Sequence, residues 1–145
     1  MKAISLWQPW ATLWLLSNPD EKVFETRHWG TSYRGPLLVH AAKKKDGEVK
    51  EFLGASGVIR TLHAHGLEVS DLAFGAIIGR VDLIGCSRMD RMPEPSERER
   101  MWGNWEPDRF AWGRGPSPRL FPAPIPYKGE QGFFDVPDSL VGEDL

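Results

Sequence analysis

Alternating apolar and polar side chains mark the strands of this chain, and apolar residues at helical spacing mark its helices. Ile4-Ser5-Leu6-Trp7 reads as a first strand, after which Gln8-Pro9-Trp10 opens a helix carrying Trp10, Leu13 and Trp14. Pro9 is tolerated there because first-turn amides have no intrahelical partner. Lys22 to Arg27 reads as a second strand. Pro36 to Ala42 reads as a third, with Leu37, Val39 and Ala41 on one face and Leu38 and His40 on the other. Beyond Asp46, the spacing of Val49, Phe52 and Leu53 fits an amphipathic helix, and Val58, Ile59 and Leu62 predict more helix before His65-Gly66. Ala73 to Cys86 is the strongest strand, and its glycines at 75, 79 and 85 predict the sharp coiling of a small barrel. Residues 87 to 108 are charged and irregular, which predicts a flap or long connection with a helical piece at Ser96 to Trp102. Arg109 to Gly113 reads as a short strand. Prolines 116, 118, 122, 124 and 126 exclude a central strand or helix and predict an extended wrap, before Gln131 to Val136 closes the sheet.

Composition adds the class. A chain of 145 residues, 41% apolar and 26% charged, can bury the core of one domain, expected over residues 1–136, with an acidic, frayed tail at 137–145. No apolar run reaches the roughly 20 residues of a membrane helix, and Gln8 interrupts any secretory leader, so a soluble cytoplasmic protein with no membrane partner is expected. Cys86 has no second cysteine to pair with and is expected to pack. The net charge of −2 argues against nucleic-acid binding by bulk electrostatics, but the last eleven residues hold four acids and no base, leaving residues 1–134 at +2. Binding would be local, at Lys43-Lys44-Lys45, at Arg27 and Arg34, or at Arg88, Arg91, Arg98 and Arg100, each of which reads equally as solvated surface.

The densest chemistry lies in Lys22-x-x-Glu25-x-Arg27, followed by Trp29 and Tyr33-Arg34-Gly35. Glu25 and Arg27, two apart, share one face of a strand. Lys22 is three from Glu25 and joins it only if a turn near Pro19-Asp20-Glu21 intervenes. Lys22 could bind phosphate or act as a base, against a plain surface lysine; Glu25 and Arg27 could read a base and a phosphate, against a surface ion pair. Trp7, Trp10 and Trp14 are expected in the core, while Trp29, Tyr33 and Trp112 stand as stacking platforms or rim packing. His40 could meet a phosphate or sit as a satisfied half-buried ring. Glu97, Glu99 and Glu106 could each lend a carboxylate to a cleft, and spacing does not choose among them. His63 and His65 lack the company of a metal set, so no metal is expected, and phosphate-loop and Gly-x-Ser-x-Gly signatures are absent.

Taken jointly, several elements resemble the activating signal cointegrator homology (ASCH) domains of the PUA-like barrel fold. They are Ser5-Leu6-Trp7-Gln8-Pro9-Trp10, Lys22-x-x-Glu25-x-Arg27, Tyr33-Arg34-Gly35-Pro36-Leu37 with His40-Ala41-Ala42-Lys43, Gly75-x-Ile77-Ile78-Gly79, Phe110-Ala111-Trp112, and Pro124-Ile125-Pro126-x-Lys128-Gly129-x-Gln131-Gly132. The resemblance implies an α+β domain, a small β-barrel flanked by helices with a cleft between them. It implies RNA or nucleoside binding without a cofactor, with Glu25 and Gln131 reading base edges, Trp29 or Tyr33 stacking, and Arg27, Lys22, Lys43 and Lys44 on phosphate. The alternative it implies is a hydrolase of acylated nucleosides or single-stranded RNA using Lys22 and Glu25, with magnesium only in the nuclease case. Two positions depart from the family: Asp20 replaces the usual motif glycine, and Glu25 stands where the deacylase branch has threonine. A third reading makes the charged motif structural within a protein-interaction domain.

Overall fold

The computed structural model describes residues 1–16, 22–43 and 56–142. Its strands are β1 (Lys2–Leu6), β2 (Phe24–Arg27), β3 (Gly35–Ala41), β4 (Ala76–Arg88), β5 (Phe110–Arg114), β6 (Arg119–Pro126) and β7 (Phe134–Asp135). Its α-helices are α1 (Trp10–Trp14), α2 (Ser56–Ala64), α3 (Glu97–Met101) and α4 (Asp138–Val141). The helix expected beyond Asp46, like Lys44 and the turn at Pro19-Asp20-Glu21, lies outside the described residues.

One mixed sheet organises the chain in the order β2-β5-β4-β3-β1-β7, with β6 pairing β4 off that path. β1 and β3 run parallel and the other pairs antiparallel. β4 is long enough to serve three neighbours: its first half pairs β3 and β6, and its second half pairs β5. The ladder shifts register between Ile77 and Gly79 and between Leu83 and Gly85, at the glycines expected to coil it. A Cβ at Gly79 would stand 2.7 Å from Leu15 Cδ1, so only glycine lets β6 and α1 close onto this strand. Among the described residues the path from β2 to β7 stays open, and the closed barrel expected from the glycine spacing is not seen.

The faces of β3 follow the alternation in the sequence. Leu37, Val39 and Ala41 join Ile4, Leu6 and Trp14 in the main core, while Leu38 packs on the opposite face with Ala3, Ile77 and Phe134. Both faces are buried because α1 covers one and the β7–α4 segment the other. α2 presents Val58 and Leu62 to Leu13, Leu16 and Trp102 in a separate cluster. The proline-rich span forms β6, which among the described residues pairs only with β4 and so holds an edge position, where missing amide donors are tolerated. Within the acidic tail, residues 138–141 form α4, and Val141 is buried in one cluster with Phe134 and Val136.

Candidate functional site

The second strand is shorter than its polarity suggested, and this decides the fate of Lys22. β2 begins at Phe24, so Lys22 stands outside the strand alternation and turns to meet the carboxylate three positions on. Lys22 Nζ lies 3.2 Å from Glu25 Oε1 and donates to the Trp102 carbonyl at 3.1 Å. At 1% exposure it is neither a surface lysine nor a free phosphate ligand.

Glu99 completes this buried network. Ser96 caps α3 by accepting from the Glu99 amide, which fixes the helix so that the Glu99 carboxylate points inward. It accepts from the Val23 amide at 2.7 Å and the Phe24 amide at 3.4 Å. Burial raises its pKa, opposed by those amides, Lys22 and Arg114. Of the three glutamates left open by spacing, the structure thus brings in Glu99 and leaves Glu97 and Glu106 exposed.

Glu25 and Arg27 share the face expected of residues two apart, with Arg27 Nη1 3.6 Å from Glu25 Oε2. Both line a cleft of about 650 Å³ with Trp7, Trp10, Asn104 and Arg109. Burial lowers the Arg27 pKa; Glu25 opposes this and Arg109 reinforces it. Among the described residues Arg27 Nε is buried without a hydrogen-bond partner, so one donor of this guanidinium is unmet in the cleft wall. Arg109 ties the cleft walls together, donating to the carbonyls of Asn104 at 3.1 Å and Thr26 at 3.3 Å.

A second cleft of about 680 Å³ adjoins the first through Ser5, Trp7 and Arg27, and is bounded by Trp29, Gln131 and Phe133. A third, of about 910 Å³, shares Ser5 and Gln131 with the second and contains His40, Lys43 and Lys128. The expected site residues therefore distribute over adjoining clefts instead of converging on one hollow.

The aromatic assignments are partly reversed. Trp112, a stacking candidate, has 0% exposure, and its indole N–H donates to the Trp29 carbonyl at 3.0 Å. Trp29 meets Trp112 edge-to-face with centroids 4.7 Å apart and carries the Arg27 guanidinium 5.5 Å from its ring centre. Tyr33 lines none of these clefts; its hydroxyl donates to the Pro36 carbonyl and its ring sits beneath the Lys2 ammonium. Trp7, expected in the core, is instead 45% exposed and lines two clefts. The sequence signal was available: Gln8-Pro9 ends the strand at Leu6, which frees Trp7 from the buried pattern. His40 is buried between two hydrogen bonds, as a satisfied ring, and does not stand out as a phosphate ligand.

No protein-family model matches the chain, and no curated protein matches it. The fold and site define a mixed α+β domain with a seven-stranded sheet and a polar, aromatic-edged trough. No helix among the described residues is long and apolar enough to cross a membrane.

Proposed function

We propose that this chain is an ASCH-type domain that holds a single-stranded or flipped-out RNA base in the cleft beside Trp7. The observation that carries this reading is the Trp7 ring, a large apolar surface left 45% exposed next to the Arg27 guanidinium and the Glu25 carboxylate. A base stacked on Trp7 would leave its polar edge within reach of Glu25, while Arg27 meets the adjoining phosphate. Gln131 and Lys43 would continue the contact along the neighbouring clefts.

Fluorescence anisotropy of a labelled single-stranded RNA oligonucleotide at low salt tests this. Binding that weakens with rising salt and is lost in Trp7→Ala supports the reading; RNA affinity no better than that of an unrelated acidic domain rejects it.

A hydrolase is the second reading, favoured by the Lys22, Glu25 and Glu99 network behind the cleft. There Glu25 is the group that faces substrate, and buried Lys22 orients it. Product from acylated nucleosides or labelled single-stranded RNA, with and without magnesium, that disappears in Glu25→Gln would establish it; binding without product leaves the module alone.

A further inference from the structure

Ser5 and His40 are direct register partners in the parallel β1–β3 pair, so both side chains leave the sheet on one face. Ser5 Oγ lies 2.9 Å from His40 Nδ1, and His40 Nε2 lies 2.7 Å from the Tyr127 carbonyl oxygen. A carbonyl can only accept, so Nε2 carries the ring proton. In the neutral ring Nδ1 is then a lone pair, and the Ser5 hydroxyl donates to it. Burial holds this imidazole below its ordinary pKa of 6.5, with the Tyr127 carbonyl pulling the other way, which favours the neutral, proton-accepting ring at pH 7.

A hydroxyl bonded to a base that a third group orients is the arrangement of an activated nucleophile. Ser5 is also the residue common to all three adjoining clefts, so its oxygen is approachable even though His40 behind it is buried. Gly129 packs its backbone directly against the pair. A Cβ there would stand 2.6 Å from His40 Cε1 and 3.1 Å from Ser5 Oγ, so any side chain would displace the pair. Lys43 and Lys128 outnumber Glu130 around the 910 Å³ cleft, giving it a positive lining.

We propose that Ser5 is an acyl-accepting nucleophile with His40 as its general base, acting on small esters whose acyl group carries negative charge. Ser5 Oγ bonds to the acyl carbon while its proton passes to His40 Nδ1. That proton then goes to the departing alkoxide as the ester C–O bond breaks. Water attacks the acyl-serine, giving its proton to Nδ1, which returns it to Ser5 Oγ as the carboxylic acid leaves. The Tyr127 carbonyl fixes the tautomer but adds no full charge to stabilise the imidazolium, so turnover should be slow and covalent trapping the more sensitive readout.

The experiment is incubation of the full chain with an alkyl fluorophosphonate, which loses fluoride as Ser Oγ bonds to phosphorus, followed by intact mass and peptide mapping. One adduct per chain at Ser5, absent in Ser5→Ala and at least about 100-fold slower in His40→Gln, is the expected result. No adduct on the folded protein, or an adduct mapped elsewhere, overturns the proposal. Should His40→Gln fail to fold, urea-denatured wild type replaces it, and labelling there within about 100-fold of the native rate overturns it equally. Faster Ser5-dependent cleavage, the wild-type rate less that of Ser5→Ala, is expected for the 4-nitrophenyl monoester of succinate than for 4-nitrophenyl acetate, and equal differences reject the anionic preference.

Discussion

Lys22 Nζ lies 3.2 Å from Glu25 Oε1, across an odd sequence separation that an unbroken strand would place on opposite faces. The contact forms because β2 starts two residues after Lys22, and the Trp102 carbonyl holds the ammonium on the inside. Removing one member of a buried ion pair leaves the other uncompensated, at a cost of about 3–5 kcal/mol. Lys22→Ala should therefore lower unfolding stability by about that amount in urea titrations. A change within experimental error would mean that the pair is dispensable to the fold.

Two tryptophans should respond in opposite ways. Trp112 is fully buried, so Trp112→Ala should destabilise by about 3–5 kcal/mol. Trp7 is half in solvent, so Trp7→Ala should melt near wild type while losing about 1–3 kcal/mol of RNA affinity. Equal effects on melting would show that Trp7 supports the core and is no platform.

Arg27 can be divided into its charge and its fork. Arg27→Lys keeps the charge but loses the planar donor geometry, whereas Arg27→Ala loses both. RNA affinity should fall in the order wild type, Lys, Ala, and the salt slope should flatten only in the alanine variant. Affinities and slopes indistinguishable across the three proteins would remove Arg27 from the interface.

His40 predicts a dependence on pH. Burial depresses its pKa below 6.5 in the folded state, so the unfolded chain takes up the proton first as pH falls. The stability it contributes is complete above about 6.5 and is lost as pH drops through the interval down to the folded-state value. Urea midpoints measured on either side of that interval should fall more for wild type than for His40→Gln. Matching slopes would show that His40 titrates alike in both states.

Glu99 has the opposite linkage. Its pKa is raised by burial, so the folded state holds the proton longer, and stability declines as pH rises from about 4.5 through the folded-state value. Glu99→Gln should remove that decline, while losing part of the acceptor capacity that serves the Val23 and Phe24 amides. A decline that persists unchanged in Glu99→Gln must come from another group.

Local pattern was enough for much of this molecule. The alternation from Leu37 to Ala41 assigned both faces of β3, the β-rich run with its glycines located β4 and its register shifts, and the prolines confined β6 to an edge. Those readings hold because side-chain direction along a strand and the loss of an amide donor at proline are properties of a few adjacent residues. Burial and partnership are decided by chain far away. Lys22 is hidden, and Glu99 singled out from its neighbours, because α3 and the Trp102 carbonyl fold against the entry to β2 more than seventy positions distant. Trp7 is exposed because the chain turns away after Leu6, and Ser5 meets His40 through a parallel pairing that neither segment encodes alone. Sequence determined which residues could face together within each element; only the tertiary packing decided which elements face each other, since solvent exclusion and hydrogen-bond geometry depend on distances that no local window contains.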